Sequence, residues 1–135
     1  MNRRFKEIEH TADIAIRVWG RDLAELFSNA AYGMACQIAD PETVERTIKR
    51  SIELDAYDTE TLLVSWLEEL LYVHERDDCV FTDFEILEIT PTRLRATAQG
   101  GAAQERRRYI KAVTFSNLEI VRTGERYETT VVFDV

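Results

Sequence analysis

Asp13-Ile14-Ala15-Ile16-Arg17-Val18-Trp19 is the stretch whose reading decides the fold. Ile14, Ile16 and Val18 fall on one side, while Asp13, Ala15, Arg17 and Trp19 fall on the other. A period of two is the mark of a strand with one face toward a core. Gly20-Arg21 ends the run, and the periodicity then changes. Asp22 suits an N-cap, with Glu25 three residues on as in a capping box. Leu23, Leu26, Phe27, Ala30, Ala31, Met34, Ala35 and Ile38 recur at helical spacing and form a core-facing stripe. The small Ala30 and Ala31 allow close approach to a sheet, and Asp40-Pro41 stops the helix.

Working outward, Phe5-Lys6-Glu7-Ile8-Glu9 reads as a strand before this unit. Residues 46–54 alternate again, with Ile48, Ile52 and Leu54 inward. Asp58 or Thr59 caps a second helix to about His74, buried along Leu62, Leu63, Trp66, Leu67, Leu70 and Leu71. Asp77-Asp78 end it. The remainder reads as strands at 79–89, 93–99, 110–121 and 126–135, with turn signals at Thr90-Pro91, Gly100-Gly101 and Thr123-Gly124. Two helices cannot cover both faces of six or more strands. The expected class is α+β, a mostly antiparallel or mixed β-sheet with two helices packed on one side. Nothing resembles a linker or repeat, so residues 1–135 are expected to form a single domain.

A hydrophobic content of 45% excludes a disordered chain. No run approaches the roughly 18 apolar residues of a membrane span, and no apolar stretch follows the charged start as in a signal peptide. Cys36 and Cys79 lack the spacing of a zinc site and are expected to be reduced core thiols in a cytoplasmic protein. The net charge of -8 is unevenly spread: residues 58–90 carry 10 acidic groups and 1 basic group, whereas residues 91–126 carry 8 basic and 3 acidic. Such blocks favour oriented docking to a charged partner, although solvated faces are the commoner use of a charge run.

Asp13 opens one strand and Asp134 closes the last, next to the terminal carboxylate of Val135. These are hard oxygen donors suited to calcium or magnesium. The set is short of the 6–8 oxygens that calcium takes, so waters or a partner would complete it. Exposed aspartates at strand ends are also common without any ligand. If the two strands are antiparallel neighbours the carboxylates meet at one sheet edge; if parallel they stand about 20 Å apart. His10, near Asp13, has the chemistry of a general base, but no serine sits in a context that makes it a nucleophile. His74 lies on the apolar side of its helix, where packing is the commoner role. Lys111 is a lone cation in an apolar strand, fit to pair with an acidic site or a phosphate, or simply to snorkel from an edge. Arg106-Arg107-Arg108 has no aromatic platform beside it, which favours a solvated loop over an RNA contact.

Taken in order, Phe5 through Asp13, the helix from Asp22 to Ala31, Trp66-Leu67-Glu68-Glu69-Leu70-Leu71, Lys111-Ala112-Val113-Thr114-Phe115 and Val132-Phe133-Asp134-Val135 make the chain resemble the archease family. The resemblance covers essentially the whole chain. It implies a non-catalytic accessory protein of an RtcB-type RNA ligase, acting in tRNA splicing and repair. In that role it promotes guanylylation of the ligase, supports multiple turnover and alters the nucleotide the ligase accepts; contact with RNA is only indirect. It also implies a divalent metal, calcium, at Asp13, Asp134 and Val135 and an activating role for Lys111; His10 and Thr11, with no nucleophile to serve, read as residues that shape the site. Ser116 stands where many relatives have histidine. Two alternatives stay open: a chaperone-like binding module for an RNA-modifying methyltransferase, and a small metal-dependent hydrolase.

Overall fold

The computed structural model describes residues 4–9, 13–115 and 118–135. Its first helix starts where a carboxylate captures orphan backbone donors. Asp22 accepts from the Glu25 N–H at 2.8 Å and opens α1 (Leu23–Ile38). Glu25 does not complete a reciprocal capping box. Its carboxylate instead accepts from the Arg21 N–H at 3.1 Å and from the Arg21 guanidinium. The second helix, α2 (Thr59–Asp77), begins in the same way, with Asp58 accepting from the Thr61 N–H at 2.7 Å. Hydrogen bonding to Thr61, from its hydroxyl first and then from its N–H, holds the Asp58 carboxyl below the usual carboxylate range. Asp78 closes α2 in the left-handed region at φ 52°.

Before α1 lie β1 (Phe5–Glu9) and β2 (Asp13–Gly20). A Cβ at Gly20 would meet the backbone of Leu26, so the tight passage from β2 into α1 requires a glycine. After α1 come β3 (Ile48–Asp55), then α2, β4 (Val80–Thr90), β5 (Arg93–Gly101), β6 (Ala112–Thr114), β7 (Val121–Thr123) and β8 (Arg126–Asp134). The α+β class is as expected, and every pairing between these strands is antiparallel.

The strands divide into two sheets. One has the order β1-β2-β8-β6, with β7 also on β8; the other has the order β3-β5-β4. Helix α1 explains the division. Every residue from Gly33 to Ile38 is buried, so this end of the helix is covered all round and not along one stripe. It packs on β2 in the first sheet and on β4 in the second. Helix α2 locks to α1 through Trp66, whose Nε1–H donates to the Phe27 carbonyl at 3.0 Å. The Trp66 ring also meets Phe84 of β4 edge-on, with centroids 5.9 Å apart. One contiguous apolar cluster joins both helices to both sheets.

The apolar run 110–121 is not one strand. β6 pairs with the end of β8 and β7 with its start. Between them backbone groups find side-chain partners. The Ile120 N–H donates to Glu60 at 3.1 Å, and Thr129 Oγ1 donates to the Glu119 carbonyl at 2.9 Å. Those bonds satisfy the Glu119 carbonyl and the Ile120 N–H without a ladder. No helix among the described residues is long and apolar enough to cross a membrane.

Candidate metal centre

The polar face of the first sheet positions the candidate residues. On the opposite face Ile16, Val18, Val113, Val131 and Phe133 are buried in the core. Because strand side chains alternate, that burial turns Asp13 and Asp134 outward. Strands β2 and β8 are antiparallel and in a register that sets Asp13 directly opposite Asp134. The conditional geometry drawn from sequence is therefore met: the two carboxylates form a cross-strand pair at one sheet end. Two like charges in that relation destabilise a sheet, by roughly 0.2–1 kcal/mol. A cation between them removes the repulsion, and oxygen donors of this kind suit a hard divalent ion.

The other candidates gather around this pair. Ala112 of β6 flanks Asp134 on its second side. The Lys111 N–H donates to the Asp134 carbonyl at 2.7 Å, which ties the start of β6 to the site strand. The Lys111 side chain is exposed, and among the described residues no carboxylate pairs with it. Val135 follows Asp134 at the sheet end and is 38% exposed. His10, Thr11 and Ser116 lie outside the described residues. Among the described residues no group of three or more His, Cys, Asp or Glu side chains converges on one point. Among the described residues, a cation here would rest on Asp13 and Asp134, with oxygens of another kind completing its sphere.

One side chain of this face went unremarked in the sequence. Thr114 pairs with Val132, two residue pairs inward from Ala112 and Asp134 and so on the same side of the sheet. Its hydroxyl oxygen is withdrawn from solvent and has no hydrogen-bond partner among the described residues. Only the pairing register could have exposed it, because in sequence it is one threonine among apolar neighbours.

Residues set aside on sequence grounds prove structural. His74 is buried, with Nδ1 2.8 Å from the Cys79 carbonyl oxygen. A carbonyl only accepts, so this nitrogen carries the proton. Cys36 and Cys79 are free and buried, and desolvation pushes both thiols up, away from reactive thiolate. The arginine run is neither a free patch nor simply a solvated loop. Arg106 pairs with Asp78, Arg107 donates to the Cys36 carbonyl at 2.9 Å, and Arg108 stands 3.8 Å from Glu7. It fastens the segment before β6 to α2, α1 and β1.

A model of the Archease protein family matches residues 5–135. The chain belongs to the archease family. The archease of Methanosarcina mazei is 36% identical over 98% of this chain and 97% of its own length. That of Saccharolobus islandicus strain M.14.25 is 40% identical over 98% of this chain and 99% of its own. Among solved structures, Methanobacterium thermoautotrophicum protein 1598 aligns with a TM-score of 0.83 at 33% identity, covering 99% of this chain and 100% of that one. An archease from Thermotoga maritima, described as a possible chaperone, aligns with a TM-score of 0.68 at 23% identity and 96% coverage of each chain. At that identity the likeness concerns the archease fold alone. Two antiparallel sheets around a pair of helices are thus common to this chain and other archeases.

Proposed function

We propose that this archease is a non-catalytic accessory protein that activates an RtcB-type RNA ligase. It promotes guanylylation of the ligase and its repeated turnover, and it alters the nucleotide that the ligase accepts. The observation that carries the reading is the register pairing Asp13 with Asp134, which favours a cation-bearing docking edge over a substrate cleft. Asp13, Asp134 and the Val135 carboxylate would hold calcium. A bound calcium ion supplies positive charge and open coordination positions for oxygen ligands of the partner. The chain's own residues do the rest. Core packing beneath Phe133 and Val131 keeps the two carboxylates at a fixed separation. Lys111, exposed beside them, offers an ammonium to an anionic group of the ligase or its nucleotide. The acidic exterior of α2, with Glu68 and Glu75 exposed, favours approach to a basic ligase surface.

Single-turnover guanylylation of the cognate ligase tests the proposal. Wild-type protein should accelerate the step. Asp13→Ala and Lys111→Ala should lose the acceleration while keeping the wild-type circular dichroism spectrum. Full stimulation by Asp13→Ala would sink the metal-edge reading. A second reading, a client-binding chaperone, has support in the description of the Thermotoga maritima relative as a possible chaperone. It predicts suppression of client aggregation that is indifferent to Asp13→Ala.

A further inference from the structure

We propose that Tyr72 and Tyr109, set around Glu75, anchor a docking seam that takes arginine side chains of a basic protein partner. The inference rests on the reading of this chain as an accessory protein, and it names the part of the surface that holds the partner. Tyr72 is 56% exposed and Tyr109 is 61% exposed. One belongs to α2 and the other to the segment before β6, two elements that pack together. Glu75 joins the two rings. It follows Tyr72 by three residues, which puts it on the same helical face. It also stands close enough to Tyr109 that its charge, and then a hydrogen bond, push the Tyr109 hydroxyl up. Glu68, four residues before Tyr72, extends the face and is exposed as well.

The charges of this seam are left open. Just beyond it Asp77 is taken by Arg50 and Arg76, and Asp78 by Arg106. Among the described residues neither Glu68 nor Glu75 has a basic partner. An aromatic face beside an unpaired carboxylate suits a guanidinium, which stacks on the ring and donates to the oxygens. The chain builds one such arrangement for itself. Arg76 stands over the Tyr72 ring at 5.3 Å and gives Asp77 two hydrogen bonds of 3.0 Å. Tyr109 and Glu75 repeat the pair of ring and carboxylate, and no guanidinium of the described residues lies over Tyr109. An arginine from outside completes it.

Charge decides the class of partner. A nucleic-acid backbone or an anionic lipid surface would meet Glu68 and Glu75 as like charges. Residues 58–90, with 10 acidic groups against 1 basic, repel such partners further and draw in a cationic protein surface. Tyrosine and arginine are also the side chains that most often anchor protein interfaces. Tyr57 is an internal control. It is 83% exposed but stands before the start of α2, about 20 Å along the helix from Tyr72.

Two measurements separate docking from activation: calorimetric affinity for the cognate ligase, and the guanylylation rate when the ligase is saturated with archease. Tyr109→Ala should weaken the complex about tenfold, and Glu75→Gln should weaken it several-fold. Both should recover the full rate at saturation and keep the wild-type circular dichroism spectrum. Tyr72→Phe, which retains the ring, should bind like wild type, and so should Tyr57→Ala. Asp13→Ala should behave in the opposite way, losing rate even at saturation. Raised salt should weaken wild type more than Glu75→Gln. Wild-type affinity in both Tyr109→Ala and Glu75→Gln would overturn the seam and leave the activator reading standing. A loss in Tyr57→Ala equal to that in Tyr109→Ala would overturn the seam as a defined place. Wild-type protein that neither binds nor accelerates the ligase would overturn the activator reading and the seam with it.

Discussion

Strands β2 and β8 carry two polar clusters on one face, and the clusters are built on opposite logic. At one end Arg17 donates to Thr130 Oγ1 at 2.9 Å and to Glu128 at 2.8 Å. Arg126 adds a second guanidinium to Glu128, and its own cation lies over the Trp19 ring. Each charge there has an opposite charge beside it: Arg17 and Glu128 across the strands, Arg126 and Glu128 along β8. At the other end Asp13 opposes Asp134, and a row inward on that face Thr114 Oγ1 has no hydrogen-bond partner among the described residues. The same two strands, in one register, thus pair opposite charges at one end and set like residues opposite each other at the other. A fold under no constraint except stability would resolve both. The end with like charges is the one where the proposed cation would sit.

The largest blow to both ends together should come from Phe133→Ala. Phe133 is fully buried beneath the face, next to Asp134, and its truncation should cost about 3–5 kcal/mol in denaturant titrations. Both clusters should fail with it. If calcium uptake survived at full affinity in that variant, the carboxylate pair would owe nothing to the core below.

A smaller change should separate the ends. Arg17→Ala removes two bonds from the satisfied cluster, in which Arg17 is one-third exposed. Solvent screening and the remaining Arg126 limit the loss to about 1 kcal/mol, and calcium uptake should be untouched. The pH dependence carries the same signature. Hydrogen bonding to Arg17, and then to Arg126, holds the Glu128 carboxyl below its ordinary value despite desolvation. The folded chain therefore binds fewer protons there than the unfolded chain. That stabilisation is present above the ordinary glutamate value and is lost as pH falls through the depressed one. Thermal melts between pH 5 and pH 3 should lose stability less steeply in Glu128→Gln than in wild type. Identical slopes would mean that the cluster contributes nothing.

The smallest effect has the opposite sign. Asp134→Asn relieves the like-charge pair and should stabilise the metal-free protein by a few tenths of a kcal/mol. The gain should vanish at high ionic strength, where the repulsion is screened. Destabilisation by this change without metal would show that the carboxylates are not in conflict, and the contrast between the two ends would dissolve.

Much of the fold was legible from short-range chemistry. The Asp22 and Asp58 caps are local bonds, so the residue types name the helix starts directly. The buried stripes of α1 and α2 follow from helical periodicity, and Ile16 and Val18 from alternation. Other features were illegible for a physical reason. That α1 is buried all round at its end depends on which strands lie beyond it. The arginine run reads as a solvated loop until its partners Asp78, the Cys36 carbonyl and Glu7 are known, and all three are remote in sequence. The break between β6 and β7 depends on Glu60 and Thr129 offering the backbone bonds that a ladder would have supplied.

The candidate site divides along the same line. From the residues alone came two aspartates, one at the start of a strand and one at the end of another, with the donor chemistry of a hard cation. Whole-chain resemblance added their grouping with Val135 and Lys111. Tertiary structure alone decided that Asp13 faces Asp134, that the Lys111 backbone is tied to that strand, and that Thr114 shares the face. Residue type and periodicity are set by neighbours a few positions away, so the chain declares them locally. Strand pairing between opposite ends of a chain is set by how the whole core closes, and only the closed core brings those side chains together.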